Sequence, residues 1–220
     1  MRKNLKYGAI AGALAAPVAV AAIVMPTASA TGGGGGASSA FGVSASGPVT
    51  IPQTPSVSSA DRPNTKSIAS LPGNPLVHLS VVRVKAVAGH SEASVADLKV
   101  AKASISPKAM LSAKLIAARC DDGEGASRLV DVRLAGRAIQ AGGSPNSRLT
   151  VPVEGLGDVQ VTVDKQVRNA DGTVTVTGLE LAVRALGKSQ VVDISSATCA
   201  GAPGEAPRPT PVPSDLPVTG

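Results

Sequence analysis

Through the middle of the chain, apolar residues recur at every second position, the period of a half-buried strand rather than of a helix. Val130, Val132 and Leu134 alternate with Asp131 and Arg133, and Val159, Val161 and Val163 alternate with Gln160 and Thr162. Asn169-Ala170-Asp171-Gly172 then supplies turn chemistry before Val174 and Val176 resume the alternation, so a β-hairpin is predicted here. Twice the phase slips by one. Val77, Leu79 and Val81 give way to Val82, Val84 and Ala86, and at Gly178 the apolar set becomes Leu179, Leu181 and Val183. A glycine at a phase shift predicts a β-bulge.

Further strands are predicted around Val95 to Ala101, Leu111 to Arg119 and Val191 to Ser195, with a short one from Phe41 to Ile51. After that strand, Pro52, Pro55, Pro63, Pro72 and Pro75 interrupt the chain, and the stretch reads as an extended arm or long loop. Lys108 to Arg119 also contains good helix formers behind Ser106-Pro107, so a helix competes with a strand there. Eight or nine short strands separated by turn residues predict an all-β fold, a single antiparallel β-sandwich over residues 41–200. Its core is expected to be built from Val, Leu, Ile and Ala.

The flanks are different in kind. Residues 1–30 form a signal peptide, with Arg2, Lys3 and Lys6 ahead of an uncharged apolar run from Ala9 to Met25. The small side chains of Ala28 and Ala30 make an A-x-A site, and cleavage by signal peptidase is expected after Ala30. An uncleaved membrane anchor is the competing reading. Residues 31–40 are a Gly-rich flexible leader, with Gly32 to Gly36 in a row. Residues 201–220 form a Pro-rich, extended spacer.

Cleavage changes the charge and the aromatic content. It removes three of the 21 basic residues and none of the 15 acidic ones, so the mature net charge is +3 rather than +6. Tyr7 leaves too, and Phe41 is the one aromatic residue that stays. The remaining cations, among them Arg83, Lys85, Lys99, Lys114 and Arg133, are scattered singly along the sequence. That spacing argues against a nucleic-acid stripe, and the missing rings remove the usual platform for stacking bases or sugars. Polar sugar contacts stay open. Contact with a membrane is expected only through the signal peptide before cleavage.

Cys120 and Cys199 are the two cysteines, and in an oxidising exterior they are expected to pair. Pairing closes a loop of about 80 residues, worth roughly 4 to 5 kcal/mol in the chain-entropy model. Two separate buried thiols or half a metal site are the alternatives, but His78 and His90 show no ligand spacing with either cysteine.

Catalytic chemistry is thinly represented. Asp121-Asp122-Gly123-Glu124 is the densest acidic cluster and has carboxylates suited to calcium, without EF-hand spacing, so a solvated turn is the plainer reading. Asp164 near Asp158 and Asp171 is weaker. His78 reads as a strand-face residue and His90 as part of a turn, neither in a nucleophile context. Gly32 to Gly36 lacks the lysine and helix of a phosphate loop. No catalytic residue, metal ligand or cofactor is assigned.

The last residues, Leu216, Pro217, Val218, Thr219 and Gly220, resemble the LPxTG sorting signal of Gram-positive surface proteins. That resemblance implies a sortase that cuts between Thr219 and Gly220 and joins the threonine to cell-wall peptidoglycan. The pattern continues with an apolar span and a basic tail. Attachment is expected if these follow Gly220, and release into the medium if they do not. Ala117 to Gly125, Pro145-Asn146, the hairpin from Val161 to Leu186 and Ser195 to Cys199 resemble the choice-of-anchor P family of actinobacterial surface proteins. The resemblance covers roughly residues 41–200 and implies an extracellular location and no activity; where members often read Asn-Glu-Gln, this chain has Asp164-Lys165-Gln166. The expected function is that of a non-enzymatic secreted or wall-associated domain, structural or macromolecule-binding. The alternative is a secreted hydrolase with an acidic or calcium-assisted site at Asp121.

Overall fold

The computed structural model describes residues 36–70, 77–102, 106–140, 143–185 and 188–200. The signal segment with Ala28 and Ala30, the first half of the Gly-rich leader (31–35), and the spacer with Leu216 to Gly220 lie outside the described residues. The described chain is all-β and forms two antiparallel sheets packed face to face. A sandwich is what the period-two pattern requires, because each sheet has one apolar face to cover.

The six-stranded sheet joins β11 (Ser147–Val153), β12 (Gly157–Arg168), β13 (Thr173–Ala185), β14 (Lys188–Ala200), β1 (Ser38–Ser46) and β2 (Ile51–Ser59) in that order. The eight-stranded sheet runs β10 (Arg137–Ile139), β9 (Val132–Leu134), β7 (Ser106–Asp121), β6 (His90–Lys102), β5 (Val81–Val87) and β3 (Asn64–Ile68). In addition, β4 (Val77–His78) pairs with β6, and β8 (Glu124–Val130) pairs with β7.

Three expectations are corrected. The Pro-rich stretch after Ile51 is not an arm but contains two strands. Pro52 and Pro55 are tolerated because β2 is an edge strand, bonded among the described residues to β1 alone, where a missing N–H on the open side has no ladder to break. The strand expected at Leu111 to Arg119 prevails over the competing helix, because burying Leu111, Ala113, Ile116 and Ala118 in the core overrides their helix propensity. His90 opens β6, opposite Val87, rather than lying in the turn.

The third correction concerns the bulge. Across Gly178 the register is unbroken on both sides, since Val163 pairs with Leu179 and Lys165 with Thr177, while Thr177 pairs with Ser196 and Leu179 with Ile194. No residue is inserted. Gly178 instead lies in a row with Asp164 on β12, Ser195 on β14 and Gly42 on β1, and all four strands change phase together. Asp164 (φ 51°) and Ser195 (φ 57°) are left-handed, as is Asn146 (φ 59°), whose N–H donates to the Asp164 carbonyl at 2.8 Å. The eight-stranded sheet has its own row, Ser80, Asp97 on β6, Lys114 on β7 and Asp131 between β8 and β9, with Asp97 (φ 49°) and Asp131 (φ 48°) left-handed. The slip at Val81-Val82 belongs to this second row. Asp and Asn adopt such a backbone at lower cost than most residues, which accounts for their recurrence here.

The core has two parts. A large cluster of Val, Leu, Ile and Ala fills most of the space between the sheets, with Leu98, Leu111, Ile116, Leu179, Leu181 and Ile194 among its fully buried side chains. A small one contains Ala118, Cys120, Val174, Val176, Ala197 and Cys199. Small side chains let the sheets converge at that end. The Cα atoms of Cys120 and Cys199 are 5.6 Å apart, against about 10 Å between typical packed sheets. Phe41 belongs to neither cluster and is only half-buried.

Candidate functional site

Cys120 and Cys199 are joined as a disulfide, with both residues fully buried. The bond ties β7 in one sheet to β14 in the other. Beside it, Asp122 (φ 45°) and Gly123 (φ 82°) form the two-residue turn between β7 and β8, a sequence and backbone suited to a type I′ hairpin. The Asp122 N–H donates to the Gly89 carbonyl at 2.8 Å, and the Gly123 N–H donates to the Cys199 sulfur at 3.2 Å.

This turn is also the acidic cluster that the sequence singles out. Its carboxylates do not converge. Asp121 is held by His90 from β6 and by Arg119 from its own strand. Burial works to raise the Asp121 carboxyl, but the hydrogen bonds and charges of His90 and Arg119 outweigh it and hold the group below its ordinary value. Among the described residues, no three His, Cys, Asp or Glu side chains are grouped to hold a metal ion. Asp171 caps its own hairpin, accepting from the Thr173 N–H at 3.0 Å and hydroxyl at 2.7 Å, and those bonds lower its pKa. Asp164 is separate from it, accepting from the Gln166 side-chain amide at 3.1 Å.

The Pro145-Asn146 pair and the Asp164-Lys165-Gln166 segment, distant in sequence, meet in the structure. The Gln166 N–H donates to Asn146 Oδ1 at 3.0 Å, and the Gln166 amide reaches across to donate to the Gly125 carbonyl on β8 at 2.9 Å. These side chains bind main chain at the phase-change row, which is a structural use of them. Lys165 pairs with Glu180, whose other oxygen accepts from Thr162 at 3.4 Å.

The feature that sequence reading misses is a groove of about 610 Å³ on the outer face of the eight-stranded sheet, over the second phase-change row. His78, Lys99, Ser112 and Arg133 lie side by side on β4, β6, β7 and β9 along one wall, each opposite the next in register. Asp97, Lys114 and Asp131 form the parallel wall, and Lys114 pairs with Asp131 at 2.7 Å. The Asp131 carboxyl is lowered, and the Lys114 ammonium raised, by their mutual hydrogen bond and charge. Arg83, Lys85, Arg119 and Arg128 are exposed on the same face. The cations are therefore scattered in sequence but gathered by the sheet, which corrects the premise of dispersed charge. The phase slip at Val81-Val82 was the available signal, since it adjoins Ser80 in this row. His78 does occupy a strand face, exposed at one end of this groove.

Compared with known families, curated proteins and solved structures, the chain has no match.

Proposed function

We propose that this chain is an exported, non-enzymatic surface module of the choice-of-anchor kind. In this reading signal peptidase removes residues 1–30, the β-sandwich acts outside the cell by binding another macromolecule, and Leu216 to Gly220 serve a sortase where an apolar span and basic tail follow. The observation that carries the reading is the buried Cys120–Cys199 bond between the sheets, which suits an oxidising exterior and braces a core without rings. The groove across β4, β6, β7 and β9 is the surface on which the reading places partner contact.

Fractionation of the native host tests it. The mature protein should occur in the medium or the wall fraction, begin at Thr31 and contain no titratable thiol. Wall-bound protein should yield a C-terminal peptide joined to peptidoglycan through Thr219. Full-length protein confined to the cytoplasm with both thiols free would refute it.

A further inference from the structure

We propose that the groove on the eight-stranded sheet binds a linear acidic polysaccharide, with acid groups on Lys99 and Arg133 and sugar hydroxyls on Asp97, Asp131 and Ser112. The inference rests on the reading of the chain as an exported binding module and names the class of its partner.

Charge is the first argument. Lys114 is neutralised by Asp131, but Lys99 and Arg133 have no ion-pair partner among the described residues, and both are exposed on one wall. Arg83 and Arg128 extend the positive face beyond the groove, opposite Ser94 and Ala117 in one transverse row. Such a face attracts a polyanion.

Spacing selects the polyanion. Lys99 on β6 and Arg133 on β9 are separated by β7, so two strand spacings put them roughly 10 Å apart. Duplex nucleic acid carries a charge about every 1.7 Å and would bring unmatched phosphates against Asp97 and Asp131. A polysaccharide with one acid group per repeat carries sparser charge, and its hydroxyls between the acids are donors that carboxylates accept well. The ring content agrees. No Phe, Tyr or Trp side chain lines the groove, so recognition falls to polar contacts rather than stacking.

Direction excludes an added strand. The groove runs across β4, β6, β7 and β9, and β6, β7 and β9 are hydrogen-bonded to strands on both sides. A peptide lying there could not extend the sheet, as peptides do at an exposed edge.

Binding of the mature chain to three probes tests the proposal by calorimetry: alginate fragments as the linear acidic polysaccharide, polyglycerol phosphate as a polyanion without sugars, and double-stranded DNA. Neutral dextran is the blank. Alginate should bind, and affinity should fall as salt rises. The Lys99→Gln/Arg133→Gln variant should weaken that binding by at least about tenfold. Arg148→Gln, on the six-stranded sheet, should leave it unchanged. Both altered side chains of the double variant are exposed, and an unchanged unfolding midpoint will show that its fold is intact. Failure of alginate to bind, full binding by the double variant, or equal affinity for polyglycerol phosphate or DNA would overturn the proposal. The location of the protein is read separately by fractionation, so the two readings fail independently.

Discussion

The Ser195 hydroxyl donates a hydrogen bond of 2.6 Å to the main-chain carbonyl of Ile116, from one sheet to the other. Both residues are fully buried. Ser195 is the left-handed member of the phase-change row on β14, so the bond fixes the level at which the two sheets meet. Removing it leaves a buried carbonyl short of a donor. Ser195→Ala is expected to cost about 1 to 3 kcal/mol, seen as a lower urea midpoint with unchanged slope. A variant as stable as the parent would show the bond to be dispensable.

Glycines at the closest approach of the sheets should be intolerant. A Cβ on Gly125 would lie 2.2 Å from Val176 Cγ2, and one on Gly178 would lie 2.8 Å from Ile116 Cγ2. Gly136 has a left-handed backbone but open space around it. Gly125→Ala should therefore cost about 1 to 3 kcal/mol through overpacking, and more than Gly136→Ala, whose cost of about 1 kcal/mol is backbone strain alone. Thermal unfolding of the two variants side by side decides the order.

The strand pattern was legible because Val159, Val161, Val163 and their like alternate where one face is buried. β2 and β3 were not, because Pro52, Pro55 and Pro63 carry the same signal in an edge strand as in a loop. Gly178 shows a deeper limit. A phase slip within one strand looks the same whether a residue is inserted or every neighbour slips too, and the difference lies in the register between strands. The groove was hidden for the same reason. Lys99, Ser112 and Arg133 are far apart in sequence and become a wall only when three strands align. Cys120 and Cys199 needed less, since two cysteines allow one intramolecular pairing.

Reduction should expose how far the sandwich depends on its brace. The bond spans a sequence separation of 79, and its loss is expected to cost roughly 4 to 5 kcal/mol. Because both cysteines are buried, dithiothreitol should open the bond far faster in urea than in native buffer. Trapping of thiols with iodoacetamide over time measures this. Equal rates in the two conditions would contradict the burial.

Asp193 should weaken the fold at neutral pH. Burial first, and then the Glu180 carboxylate opposite it on β13, raise its carboxyl above the ordinary value, with Lys165 opposing. Its Oδ1 is buried without a hydrogen-bond partner. A carboxyl raised in this way holds its proton more tightly in the folded chain. Stability is therefore withdrawn as pH climbs from the ordinary carboxylate range through the folded value. Asp193→Asn should be more stable than the parent at neutral pH, and the gain should vanish in acid below the ordinary carboxylate range. Urea titrations at several pH values check both limbs.

Asp121 should behave in the opposite sense. Its lowered carboxyl contributes stability that is present above the ordinary carboxylate range and is lost as pH falls through the folded value. His90→Ala removes one of its two partners, so the carboxyl should move back toward its ordinary value and the acid-induced loss should become smaller and finish at higher pH. An acid transition identical to that of the parent would assign the lowering to Arg119 alone.

The disulfide also sets how the domain bears tension. β1 and β14 are antiparallel neighbours, with Ser39 opposite Thr198, so chain entering at Ser38 and leaving at Ala200 does so at the same end of the sheet. Pulling on those two points loads the hydrogen bonds between β1 and β14 one pair at a time, the weakest direction for a sheet. Cys199 stands one residue inside the end of β14 and is bonded to β7. Force arriving through Ala200 therefore passes at once into the opposite sheet by a covalent path. β14 cannot be peeled, and yielding is left to β1.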